Sequence, residues 1–296
     1  MICWLRLFVV KVAAVAFAIG LGLTHPGVAG PQSATPTHGG AQTVPQDFER
    51  LWSLLHLDDL VVIMREEGFT LALASDVDLL GRPGGQAWTQ RLEQIYEMDR
   101  LQRDLQREML AALNPTHLDA LCDFYSAQSV QNVVVLEVSV RRAFLDADVE
   151  DRARSAWLNG LALTAHEDAI LHFVEVNDLI ERNVVGALNS NYAFLRAMTD
   201  AHPVAAERMT DQQILAEVWA EEVEIRQDTS EWLFAFLTTA YDPVSEEVLD
   251  AYVAFSETDA GQALNHAIFA AFDKMYLRIS ADLGRAVGEF SSQQEL

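Results

Sequence analysis

Apolar residues recur at three- and four-residue steps along most of this 296-residue chain, and that period limits what it can fold into. The longest clean stripe is Leu264, Ile268, Phe272, Met275, Ile279 and Leu283. A period of about 3.6 residues puts such positions on one side of a helix, and that side has to be buried against something else. Leu92, Ile95, Leu105, Met109 and Leu113 carry the same pattern up to Asn114-Pro115 and read as one helix. Phe48, Leu51, Trp52 and Leu55 open another apolar face, which Leu60, Ile63 and Met64 continue to Gly68. Strand signals are nearly absent: Val133-Val134-Val135-Leu136 is β-branched but lies inside a longer helical period. The expected fold class is all-α, a helical bundle spanning Phe48 to Phe290.

Breakers divide the period into elements. Gly81-Arg82-Pro83-Gly84-Gly85 is the strongest cluster, and without the Gly-Lys-Ser/Thr ending of a phosphate loop it reads as a turn. Asn114-Pro115 stops one helix and starts another, with Asn as N-cap and Pro at the first helical position. Thr210 and Gln213 have capping-box spacing ahead of Ile214, Leu215, Val218 and Trp219.

The elements also repeat. Leu118 to Gln131 aligns with Leu249 to Gln262, and five of fourteen columns are identical: Leu118/Leu249, Asp119/Asp250, Ala120/Ala251, Phe124/Phe255 and Gln131/Gln262. Each copy follows an Asx-Pro start, Asn114-Pro115 or Asp242-Pro243, and the second gains three residues, close to one helical turn. Asp59-Leu60 and Asp178-Leu179 mark an earlier helix in each half. The expected organisation is two related helical halves, residues 47–150 and 151–296, arising by internal duplication. In the second copy Thr258 is a fitting N-cap for a helix beginning near Asp259. Gly261 in the first turn costs helix propensity, so a neighbouring ring or helix is expected close against it, with Phe255 the candidate.

Leu249, Phe255, Thr258, Gly261 and Gln262 resemble the F-x-x-[ST]-x-x-G-Q core of domain-of-unknown-function family 2059, whose members are exported helical proteins of Gram-negative bacteria. The resemblance is specific over Pro243 to Ile279. It implies a helical fold and an envelope location, and it carries over no active site. The first copy departs from it: Ala127 replaces the Thr and Val130 the Gly, so the cap and the close approach are expected to be lost there.

The N-terminus reads as an export signal. Arg6 and Lys11 form a cationic start, Val12 to Leu23 is an uncharged apolar run, and Gly27-Val28-Ala29-Gly30 offers small residues for cleavage after Ala29 or Gly30. The run is shorter than the roughly 20 residues of a membrane span. Residues 1–30 are expected to be removed, with an uncleaved anchor as the competing reading. Residues 31–46, rich in Pro, Ser, Thr and Gly, read as a flexible leader. The expected location is the periplasm.

A formal charge of −24, more negative still without Arg6 and Lys11, argues against nucleic acid and anionic lipid as partners. It suits cationic partners, loosely held divalent ions or simple solubility. Cys122 falls on the apolar side of Leu118, Leu121 and Tyr125 and reads as a small core residue. His166 and His172 lie six residues apart, on different faces of a helix, which fails the zincin spacing. Glu217, Glu221, Glu224 and Asp228 read as a water-facing stripe on one helix, with Glu222–Arg226 a favourable pair beside it. Arg141-Arg142 is expected to pair with Asp146, Asp148, Glu150 and Asp151, while Asp119 and Asp250 read as acids early in their helices. No residue is assigned a catalytic, cofactor-binding or metal-binding role, and Phe255, Thr258, Gly261 and Gln262 form a structural motif. The favoured function is a non-enzymatic envelope protein that binds a partner protein or small ligand. The alternatives are a dispersed-site hydrolase or metal-dependent enzyme, for which His166 and His172 are the starting point, and a carrier of an apolar ligand.

Overall fold

Helices form wherever the apolar period runs, and short breaks separate them. The computed structural model describes residues 44–160, 166–202 and 208–292. The export signal and most of the leader lie outside the described residues. In chain order the helices are α1 (Gln46–Leu54), α2 (Leu57–Ala74), α3 (Asp76–Leu80), α4 (Gly85–Ile95) and α5 (Met98–Ala112). A 3-10 turn, Pro115–His117, leads into α6 (Leu118–Tyr125), α7 (Gln128–Ala143) and α8 (Ala147–Leu158). Then follow α9 (Glu167–Val176), α10 (Leu179–Ala201), α11 (Asp211–Trp219), α12 (Glu222–Tyr241), α13 (Glu246–Ser256) and α14 (Asp259–Ser292). The fold is all-α, with no strand among the described residues.

Local chemistry explains most boundaries. Asn114 accepts from the Thr116 N–H ahead of α6, and Thr210 with Gln213 closes a reciprocal capping box on α11. Gly81 and Gly85 take φ of +70° and +62°, which makes the glycine-rich segment a turn. Two boundaries were hidden from the period. The apolar face of Phe48 to Met64 is broken between α1 and α2, where His56 adopts a left-handed φ of 51° and ψ of 36°. Leu92 to Leu113 is likewise two helices, with Glu97 capping α5 through the Asp99 and Arg100 N–H groups. The stripe continues across each break because the buried residues on both sides serve one core, so periodicity alone does not register the interruption.

Helices α1 to α7 precede α8, and α9 to α14 follow it. Asp178, between α9 and α10, has the same left-handed φ of 51° and ψ of 36° as His56. Leu57 and Leu179, which follow these two residues, are both fully buried. Gln131 donates its side-chain amide to the Tyr125 carbonyl at 2.6 Å, and Gln262 donates to the Ser256 carbonyl at 2.8 Å, the same bond at the same spacing. Asp250 departs from the expectation of an early acid: α13 begins at Glu246, so the extra turn of the second copy puts Asp250 in mid-helix.

One core runs through both halves, from Phe48 to Val287. Its centre is the pair α10–α14. A Cβ on Gly284 would sit 2.1 Å from the Phe194 carbonyl oxygen, and one on Gly288 would sit 2.6 Å from that of Met198. The two glycines, four residues apart on α14, thus let two backbones touch. Beyond Met275, α14 runs on over α5 and α4, where Phe290 meets Trp88 edge-on at 5.4 Å and Glu289 pairs with Arg91 at 3.0 Å. Helix α8 lies over α12, with Arg154 bound to Asp228 and Glu231.

Candidate functional site

Helix α7 carries an acid on its buried face. Val130, Val133, Val134, Glu137 and Arg141 are all buried, at helical spacing. Arg141 has its partner in Glu67 of α2, and its guanidinium lies 5.3 Å over the Trp232 ring. Arg142 lies 3.9 Å from Asp59. The expected pairing of Arg141-Arg142 with Asp146, Asp148, Glu150 and Asp151 is therefore not what forms. Asp146 instead caps α8 through the Asp148 N–H, and Glu150 pairs with Arg154. The reason is direction: Arg141 points into the core from α7, whereas those acids belong to the next helix.

Among the described residues, no cation contributes to the environment of Glu137. Its Oε1 accepts from the Tyr241 hydroxyl at 2.6 Å and its Oε2 from that of Tyr252 at 3.4 Å. Tyr241 ends α12, Tyr252 sits on α13, and Tyr125, at the end of α6, stands edge-on to Tyr252 at 6.4 Å. Phe173 of α9 packs on Tyr241 and Tyr252. Phe124 and Phe255, aligned positions of the repeat, stack at 3.6 Å with planes 3° apart. The cluster thus joins the two halves. Burial pushes the Glu137 carboxyl up to about 8, although hydrogen bonds from both tyrosines pull the other way. Burial likewise holds the hydroxyls of Tyr125, Tyr241 and Tyr252 above the usual phenol range. Near neutral pH Glu137 is a neutral acid. Such a group has the right ionisation for general acid–base work, but it has no access: Glu137, Tyr241 and Tyr252 are 5, 0 and 3% exposed.

The residues singled out from sequence fall in several places. Thr258 caps α14 by accepting from the Gly261 N–H at 3.1 Å, and Gly261 is buried. Phe255 lies against Phe124, and Gln262 bonds to Ser256. Ala127 makes no side-chain cap for α7. His166 is the buried residue before α9, while His172 is exposed and 3.0 Å from Glu257. No group of three or more His, Cys, Asp and Glu capable of holding a metal occurs among the described residues. Cys122 is buried, donates to the Asp47 carbonyl at 3.4 Å, and is raised in pKa by burial, all of which suit an inert core thiol.

The acidic stripe of Glu217, Glu221, Glu224 and Asp228 does not exist as such, because a turn at Ala220–Glu221 divides it between α11 and α12. Glu221 is buried and accepts from the Asn191 amide at 2.9 Å, while Asp228 is bound by Arg154. Glu222 and Arg226 do pair, at 2.6 Å. A small cavity lies by Gly68 and Tyr96, bordered by Glu67, Met275, Tyr276 and Ile279, with room for no more than about one water molecule. No helix among the described residues is long and apolar enough to cross a membrane.

Glu137 was missed because a single acid in VVVLEVSV reads as an exposed polar position. The available signal was its register: Val130, Val133, Glu137 and Arg141 fall on one face at three- and four-residue steps. Tyr125 lies on a legible apolar face, but nothing local brings it together with Tyr241 and Tyr252, which come from two other helices. No family model, curated protein or solved structure matches this chain.

Proposed function

We propose that this chain is a non-enzymatic binding protein of the cell envelope, exported on residues 1–30 and working in the periplasm. The observation that carries the reading is the closure of the Glu137 cluster. Its ionisation would suit acid–base chemistry, yet it sits behind tyrosines with almost no exposed surface. A carboxyl kept there joins helices rather than turning over substrate. The N-terminal reading rests on the charge and apolar pattern of Arg6 to Gly30. Kinship with family 2059 is part of this proposal, and it rests on Phe255, Thr258, Gly261 and Gln262. So is an internal duplication, supported by the matched dihedrals at His56 and Asp178 and by the matched amide bonds of Gln131 and Gln262.

Two measurements test the function. Cross-linking in cells, followed by mass spectrometry, is expected to give a reproducible protein adduct and a mature N-terminus at Gly30 or Pro31. Stoichiometric metal in the purified protein, lost in His166→Ala or His172→Ala, would overturn the reading in favour of a metal-dependent enzyme. A co-purified lipid in native mass spectrometry would overturn it in favour of an apolar-ligand carrier.

A further inference from the structure

Helix α13 covers the Glu137 cluster with one face and meets water with the other. Leu249, Tyr252, Val253 and Ser256 are buried, while Glu246, Glu247, Asp250, Ala251 and Ala254 are exposed. Its two ends are held unequally. At the C-terminal end Gln262 donates to the Ser256 carbonyl at 2.8 Å, whereas Ser245 at the start makes no side-chain cap. Ion pairs do little to fasten it. Among the described residues Glu246, Glu247 and Asp250 have none, and Glu257 just beyond has the exposed His172 at 3.0 Å. What holds α13 down is therefore what lies beneath it.

Beneath it lies the Glu137 carboxyl. The bond from Tyr241 to Oε1 is short, at 2.6 Å, and that from Tyr252 to Oε2 is long, at 3.4 Å, so the oxygen turned to α13 is the loosely held one. The helices packed on α7 bring no counter-charge to it. Tyr125 comes from α6, Tyr241 from α12 and Tyr252 from α13, while α2 sets Glu67 against Arg141 and Asp59 against Arg142. A protonated carboxyl suits such a site. A carboxylate does not: it can accept about four hydrogen bonds, two tyrosines supply two, and its charge stays buried without a partner. Relief has to come from water on the Oε2 side, and α13 covers that side.

We infer that α13 is a pH-sensitive strap, closed over the cluster while Glu137 holds its proton and swinging out about its Ser256–Gln262 end when the proton leaves. This stands apart from the binding role proposed above. Burial holds the Glu137 carboxyl up at about 8, against the ordinary 4.5 that it regains once the strap is open. Between those values opening releases one proton, so the open state gains up to about tenfold for each pH unit. Above pH 8 the closed form has lost the proton as well, and the gain stops.

Native-state hydrogen exchange of the purified protein from about pH 5 to 8.5, with each amide rate divided by its intrinsic rate, tests the strap. In wild type the α13 amides are expected to exchange faster than those of α10 and of the middle of α14 at every pH. Their opening is expected to rise up to about tenfold per pH unit as far as pH 8 and then to level. In Glu137→Gln, which keeps the shape of the side chain without its proton, the opening of α13 is expected to stay flat across the range. His172→Gln, at an exposed position, is expected to keep the wild-type rise. Protection of α13 equal to that of α10 and α14 would overturn the strap, since the fold would then open only as a whole. A flat wild-type profile, or a rise that survives in Glu137→Gln, would overturn it as well. So would a rise that His172→Gln abolishes, because the exposed pair with Glu257 would then be the sensor.

Discussion

Glu137 is the residue whose environment has the largest measurable consequence. Its carboxyl titrates near 4.5 in an unfolded chain and about 8 in the fold. Below about pH 4.5 both states hold the proton, and the group costs nothing. Between pH 4.5 and 8 the unfolded chain releases it while the folded chain keeps it, so stability falls as pH rises through that window. Above pH 8 the loss is complete, on the order of 5 kcal/mol. Glu137→Gln keeps the shape and hydrogen-bonding capacity without the proton. Chemical denaturation from pH 5 to 8.5 should therefore show wild type losing stability relative to Glu137→Gln, and parallel curves would refute it. A second residue-scale comparison concerns the caps. Thr258 caps α14, whereas Ala127 sits at the equivalent exposed position of α7 with an extended ψ of 132° and no cap bond. Thr258→Ala should cost about 1 kcal/mol and Ala127→Ser should contribute about 0.5–1 kcal/mol, read as opposite shifts in melting temperature.

At the scale of elements, the pair α10–α14 depends on what is missing from it. Gly284 would normally weaken a helix by about 1 kcal/mol relative to alanine. Here a Cβ would meet the Phe194 carbonyl oxygen at 2.1 Å, and backbone has little freedom to yield. Gly284→Ala should destabilise the protein by roughly 2–3 kcal/mol net despite its better propensity, measured by urea denaturation. An unchanged or raised midpoint would mean that the helices can slide apart at little cost. The separation of α11 from α12 at Ala220–Glu221 belongs to the same scale, since that turn sends Glu221 inward to Asn191 while leaving Trp219 outside.

Across the whole molecule, the contacts between halves decide whether they unfold together. Phe124 stacked on Phe255, and Glu137 bonded to Tyr241 and Tyr252, place ring and hydrogen-bond contacts of both halves in one cluster. A single transition by circular dichroism and tryptophan fluorescence is the expected outcome. A double-mutant cycle of Phe124→Ala and Phe255→Ala should give a coupling of about 0.5–1.5 kcal/mol. Two resolved transitions, or zero coupling, would show that the halves are independent.

The helical class, the buried stripe from Leu264 to Leu283, the buried Cys122 and the caps at Asn114, Thr210 and Thr258 were legible in the sequence. Each depends on neighbours within a few residues, where 3.6-residue spacing and side-chain-to-backbone hydrogen bonds act. The left-handed breaks at His56 and Asp178, the pairing of Arg141 with Glu67, the division of the acidic stripe and the position of Glu137 among three tyrosines were not legible. The Arg141–Glu67 pair and the tyrosines around Glu137 join groups far apart in the chain. A buried acid is distinguished from an exposed one by what other helices bring to it, and a period along a single helix carries no record of which neighbours those will be.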